Sequence, residues 1–429
     1  MTAETIKTLL LENAALIGVV ATLFGIGGAI WLFFSNVFKT VLSWLLPQSK
    51  PENSVAIVDK LVAITEEKVL AEQERDELLK TVKALQKQTD PSSEEALAAL
   101  KAGQTDKAES LFISIAEEHQ KTGSKAYTEA GVAWRHVGAL AFLHDTQKAL
   151  GAYAKAVELD PDNANGWNQL ATLQKRVGKL DVAEKSYMKV LSLGNRAADK
   201  SVIAMATGNL GLIHQTRGDL DKAKEMFMKA LELNNELGSK EGMASNYGNL
   251  GLIHQTRGDL DKAEEMLLKS LELNNELGRK EGMANDHGNL GLVYHTRGDL
   301  DKAEEMHLKA LELNNELGRK EGIARSYGNL GIVHGMRGDL DKAEEVFMKA
   351  LELNNELDRK EGVANQYGNL GSIHQTRGDL DKAEEMLLKA LELNNELGRK
   401  EGMANDHGNL GLVYHTRGDL DKAEEMHLK

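Results

Sequence analysis

The chain has 429 residues, a net charge of −14 and no cysteine. Its acidic balance, with Lys and Arg interleaved among Asp and Glu, excludes the one-sided basic face that grips nucleic-acid phosphates. The lack of cysteine excludes a disulfide framework, a thiolate nucleophile and Cys-ligated zinc.

Residues 1–13 form a tail in which Lys7 stands between Glu4 and Glu12. Ala14 to Phe34 is an uncharged run of 21 residues. A helix of that length spans the roughly 30 Å hydrocarbon core of a bilayer, which predicts a transmembrane helix over 14–34. The weakly charged start, the long apolar run and the lack of a small-residue cleavage site argue against a removed signal peptide. In residues 35–54, Val37, Phe38, Val41, Leu42, Trp44, Leu45 and Leu46 alternate with polar residues, a pattern suited to the membrane interface, so residues 14–46 are expected to meet the membrane. Lys39, Lys50 and Lys60 follow the run and only Lys7 precedes it. That bias predicts a single-pass protein with its repeats in the cytoplasm.

From Val55 to Gln88, Ile57, Leu61, Ile64, Ala71, Leu78, Val82 and Leu85 recur at three- and four-residue steps, broken by Lys68 and Arg75. The pattern fits either a coiled coil that makes a homodimer through 55–88 or a lone solvated spacer helix. Residues 94–193 then hold three divergent helical hairpins. The first centres on Leu97, Ala108, Phe112 and Ile115, the second on Ala149, Tyr153, Ala156 and Pro161, and the third on Trp167, Leu170, Ala183 and Tyr187.

In residues 202–429 the string Gly-Asn-Leu-Gly recurs from Gly208 every 40 residues, and Arg-Gly-Asp-Leu-Asp-Lys-Ala follows each copy from Arg217 onward. This period predicts six hairpins, the last incomplete, and an all-α, right-handed α-solenoid in which each hairpin buries its apolar stripe against the next. In the repeat beginning near Met243, Tyr247, Leu250, Gly251 and His254 share one helix face, read as core. Gly258 ends that helix and Asp259 is placed to cap the second, whose core stripe is Ala263, Leu267 and Ser270. Gly251 and Ala263 leave room for the two backbones to cross closely.

The other face of the first helix carries Ser245, Asn249, Leu252 and Thr256 and is expected to line the inner surface. Asn209, Asn249, Asn289, Asn329, Asn369 and Asn409 hold one position through the six repeats. An amide donates and accepts at once, so such a ladder can grip an extended peptide main chain whatever its side chains. The alternative is that these amides satisfy neighbouring groups between hairpins. Among the positions that vary, Gln255, His295, Gly335, Gln375 and His415 share one slot, and Ser245, Asn285, Arg325, Asn365 and Asn405 another. Arg325 is the cation of that inner stripe, placed either to fix an acidic ligand side chain or to stand idle in solvent.

The segment Gly248 to Asn285, GNLGLIHQTRGDLDKAEEMLLKSLELNNELGRKEGMAN, resembles the 40-residue class of tetratricopeptide repeats in the Leu-Gly-Asn repeat (Pins-like) proteins; kinesin light chains and bacterial caspase-like signalling proteins carry related repeats. The resemblance is strong over Val202 to Lys429 and moderate over Glu94 to Leu193. It implies an inner groove that binds an extended partner segment, with main-chain contacts carried over to the six ladder asparagines. Two departures stand out. The chain has no G-protein-binding motif of the Pins type. Gly248, Gly288, Gly328, Gly368 and Gly408 also stand where a carboxylate clamp would place its first Lys.

The histidines His254, His287, His307 and His334 are read as core substitutes for aromatic residues rather than metal ligands, and no catalytic motif stands out from the repeat. The Arg-Gly-Asp triplets are read as hairpin turns. No metal, cofactor or nucleic acid is expected. Lys429 falls inside a second helix, and residues 401–429 duplicate 281–309 letter for letter. The expected function is therefore a membrane-anchored scaffold that binds extended peptide segments. The alternatives are the substrate-selecting part of an enzyme whose catalytic domain lies beyond Lys429, and a self-assembling membrane-attached lattice.

Overall fold

The structure is a computed structural model that describes residues 91–119, 124–142 and 145–428. The transmembrane, interfacial and spacer helices expected over 14–88 lie outside the described residues. Among those residues no helix is long and apolar enough to cross a membrane.

The described residues form 18 α-helices and no strand. The three divergent hairpins pair α1 (Pro91–Lys101) with α2 (Thr105–His119), α3 (Ser124–Ala141) with α4 (Thr146–Leu159), and α5 (Ala164–Arg176) with α6 (Leu180–Ala197). The regular hairpins follow as α7 (Lys200–Thr216) with α8 (Leu220–Glu236), α9 (Lys240–Thr256) with α10 (Leu260–Glu276), and α11 (Lys280–Arg297) with α12 (Leu300–Glu316). They continue as α13 (Lys320–Arg337) with α14 (Leu340–Glu356), α15 (Lys360–Arg377) with α16 (Leu380–Glu396), and α17 (Lys400–Arg417) with α18 (Leu420–Leu428). Each second helix packs on the first helix of the next hairpin, and first helices also touch across repeats. The array is an all-α solenoid, with one chain of small cores running through it.

Each regular hairpin turns through a residue in the left-handed region. Gly258 has φ +75°; its N–H reaches Gln255 O and that of Asp259 reaches His254 O, each at 2.9 Å, which closes the helix. The turns between hairpins use the same device, and there Asp358, at φ 50°, stands where sister repeats have Gly. Asp is among the few side chains that tolerate this conformation. Asp259 does not cap α10 through its side chain as the spacing suggests. Its carboxylate instead takes Lys262 Nζ at 2.7 Å, whereas Asp219 and Asp299 reach the third N–H of their helices at 3.4 and 3.3 Å.

Within a hairpin the close crossing is real. A Cβ on Gly251 would lie 2.7 Å from Leu267 Cγ and 3.3 Å from Ala263 O. Gly331 faces Phe347 and Gly291 faces His307 in the same way. His307 is thus a core residue. Burial, then His295 and Arg325, push its pKa down to about 4, so it packs as a neutral ring. His254 and His334 are also buried, in the slot that holds Tyr294 and Tyr414. Tyr247 and His287, expected in the core, are half-buried instead. The Tyr247 ring lies under the Lys269 ammonium, 5.6 Å from its centroid. Its helical phase points it at the rim of the hairpin junction, where an amphipathic ring with a cation above it is stable.

Two polar devices join one hairpin to the next. The Arg of each Arg-Gly-Asp triplet reaches back to the preceding second helix: Arg297 bonds Asp261 at 2.8 Å and Glu264 at 2.6 Å, and Arg337, Arg377 and Arg417 repeat the pair one hairpin further each time. Arg257 holds Asp221 alone, because Lys224 stands where the second carboxylate would be. These triplets are therefore turns whose arginine is spent on an ion pair. The second device is buried. Asn234, Asn274, Asn314, Asn354 and Asn394, near the end of each second helix, lie against Gly242, Gly282, Gly322, Gly362 and Gly402 of the next hairpin, where a Cβ would overlap the amide.

Candidate groove lined by the asparagine ladder

The first helices α13, α15 and α17 line a groove of about 650 Å³, floored at its edges by Asn354 and Asn394. Asn329, Asn369 and Asn409 stand in it together with Arg325, Asn365 and Asn405. Two of the sites picked from the sequence pattern are therefore brought together, the asparagine ladder and the Arg325 slot. Gln375 does not line this groove. Gln255, His295 and Gln375 are half-buried further along their helices, and His295 Nε2 has no hydrogen-bond partner among the described residues.

All six ladder asparagines are half-buried. Asn209, nearest the divergent hairpins, is engaged: its Nδ2 donates to Asn168 Oδ1 at 2.8 Å. For Asn249, Asn289, Asn329, Asn369 and Asn409 no described residue is hydrogen-bonded to the side-chain amide. Half-buried amides with unspent donors and acceptors are the arrangement that a main chain laid along the groove can complete. The hydroxyl of Thr256 is spent on Leu252 O at 2.9 Å, so it offers the groove little. Among the groove's lining residues Ile332, on the same stripe, is exposed and gives it an apolar element.

The groove mouth is stitched by ion pairs that the sequence pattern did not single out. Arg319 meets Glu281 at 3.0 Å, Arg359 meets Glu321 at 3.1 Å, and Arg399 meets Glu361 at 3.0 Å, each spanning two adjacent first helices. The 40-residue recurrence of Arg-Lys-Glu was the available signal, but its two charges pair between repeats, not within one.

The floor carries a variable polar slot, also missed: Asn246, Asp286, Ser326, Gln366 and Asp406 are all buried. Asp286 accepts from Asn274 Nδ2 at 2.7 Å and from Ser270 Oγ at 2.9 Å, and Asp406 accepts from Asn394 Nδ2 at 2.6 Å. Burial pushes the Asp286 carboxyl up to about 6 against the pull of those bonds, and it raises that of Asp406 as well. The first Gly of Gly-Asn-Leu-Gly makes space for this slot. A Cβ on Gly328 would lie 3.2 Å from Gln366 Nε2. Among the described residues no group of three or more His, Asp or Glu could hold a metal ion.

The family model described as tetratricopeptide repeat matches residues 162–236, 201–276, 242–316, 282–356 and 362–429. The chain belongs to the tetratricopeptide repeat family. No curated protein sequence is a match. Among solved structures, a signal transduction ATPase with a tetratricopeptide repeat sensor from Pyrococcus horikoshii is 14% identical at TM-score 0.55, covering 91% of this chain and 64% of that one. A Rap protein complexed with Competence and Sporulation Factor is 14% identical at TM-score 0.52, covering 86% and 99%. A kinesin light chain with nearly identical repeats from Podosopora anserina is 17% identical at TM-score 0.39, covering 46% and 96%. At these identities the likeness is one of fold.

Proposed function

We propose that this chain is a membrane-tethered scaffold that captures extended segments of partner proteins along the inner face of its repeats. The observation that carries this reading is the run of five amides, Asn249 to Asn409, to which no described residue is hydrogen-bonded although each is half-buried. A groove that recognises main chain is indifferent to most of a partner's sequence. The few departures between repeats are then left to select among partners. A Rap protein complexed with Competence and Sporulation Factor shares this fold, which is in keeping with an array that holds a ligand of its own. The uncharged run from Ala14 to Phe34 supports the tether, and the lysines that follow it support a cytoplasmic array.

The test uses peptides selected by the full chain from a phage-displayed random library of 12-residue sequences. Changing Asn329, Asn369 and Asn409 together to Ala is expected to weaken the selected peptides by about tenfold or more, the loss of several net hydrogen bonds. Helicity and melting temperature should stay near those of the unaltered chain. Unchanged affinity would show that the ladder does not bind the main chain.

A further inference from the structure

The five amides without a described partner repeat with the hairpins, so by themselves they cannot tell one register of a bound segment from another. A chain gripped only through its backbone could slide by one hairpin and make the same contacts. First helices of neighbouring hairpins lie roughly 10 Å apart, about three residues of extended peptide. Something in the groove has to break that translational symmetry if the complex is to have a single geometry.

Arg325 breaks it. At its slot the neighbouring repeats carry Ser245, Asn285, Asn365 and Asn405, all neutral. The other cation lining the groove, Arg359, is neutralised by Glu321 at 3.1 Å. Arg325 has no such partner among the described residues: its guanidinium makes one bond, from Nη2 to the neutral Oδ1 of Asn285 at 2.9 Å. A guanidinium has five N–H donors, so most remain unused. The side chain is exposed to the groove, yet the surrounding walls and then Arg319 hold its pKa below the usual arginine range. Glu321 and Glu281 offset part of this from a distance, but no carboxylate is paired with the guanidinium directly, so an anion beside it would be stabilised by a charge-assisted pair, bidentate where the geometry allows. Asn329 lies one helical turn away, about 6 Å along α13, close enough for one ligand residue to engage Arg325 while its own backbone meets the ladder.

Building on the peptide-groove reading, we propose that Arg325 sets the register of the bound segment by taking the carboxylate of one acidic side chain, Asp or Glu, while the adjoining main chain lies over Asn329, Asn369 and Asn409. The partner class is then an extended segment with a single required acid at a fixed place and few other demands. The rim pairs Arg319–Glu281 and Arg359–Glu321 flank that place, so a second acid one hairpin to either side meets a carboxylate already engaged and gains nothing.

The test is the same random 12-residue library, selected on the full chain and on Arg325→Asn, which installs the residue found in three sister repeats and so keeps the fold. The expected result is an acidic residue at one aligned position in the peptides from the unaltered chain and no such position in those from the variant. Replacing that acid by its amide in the best peptide should cost about tenfold in anisotropy titrations against the unaltered chain and less than twofold against Arg325→Asn. Peptides that depend on Asn329, Asn369 and Asn409 but show no acidic position would overturn the register proposal and leave the groove reading standing. Peptides that ignore those asparagines would overturn both.

Discussion

Two ladders of asparagine run through the regular hairpins, six residues on the first helices and five on the second, and they have opposite fates. Asn274 and its counterparts, near the ends of the second helices, are buried against a glycine of the next hairpin. There Asn274 and Asn394 donate to Asp286 and Asp406, and Asn314 and Asn354 to their own helix, Asn314 to Ala310 O at 2.8 Å. On the first helices Asn249, Asn289, Asn329, Asn369 and Asn409 are half-buried with no described residue on their amides, and Asn209 alone of that ladder is engaged, by Asn168. The same side chain at the same period is therefore spent on assembly in one place and held in reserve in the other. Recurrence identifies a position that matters to the repeat; only its partners show whether it matters to the fold or to a ligand.

The sharpest way to break this distinction is to overfill the buried ladder. Gly362→Leu would drive a side chain into the Asn354 amide. It should cost about 3 kcal/mol, the upper range for overpacking, and calorimetric melting would read it as a lower transition temperature. Second comes the acid beside that ladder. A carboxyl raised from its ordinary 3.8 to about 6 in the folded chain binds its proton more tightly folded than unfolded. The array is thus penalised as pH rises from about 4 through 6, and the penalty is complete above that window. Asp286→Asn, the residue of the sister repeat at Asn246, should raise stability by up to about 3 kcal/mol at pH 8 and leave it nearly unchanged at pH 4. Equal gains at both values would show that burial of the charge is not the cause. The smallest effect belongs to the open ladder: Asn369→Ala should shift stability by less than about 0.5 kcal/mol, and a loss near that of Gly362→Leu would merge the two ladders into one structural device.

Much of the fold was legible because the sequence repeats. The turns at Gly258 and its counterparts, the contact of Gly251 with Leu267, and His307 as a core ring all follow from spacing and residue type. The inner stripe through Asn249 was legible for the same reason. What escaped lies between repeats. The bond from Arg297 to Asp261 spans 36 residues and that from Asn274 to Asp286 spans 12, and no helical period connects either pair. Tyr247 shares the i, i+3, i+4, i+7 face of Leu250, Gly251 and His254, which reads as core, but it lies at the edge of that face, half-buried under Lys269. Asp259 looked like a cap and found a lysine instead.

The arginine clamps bear on how such an array can change length. Both ends of each clamp, Arg337 with Asp301 and Glu304 for example, are written inside the 40-residue unit, one on either side of its seam. Removing or inserting a whole unit therefore brings an identical arginine against an identical pair of acids, and the new junction is a copy of the old one. Growth by unequal exchange becomes structurally silent. The agreement of 281–309 with 401–429, three units apart, is the kind of trace such growth leaves. The reach of the groove can then be reset one hairpin at a time, without any new interface having to be found.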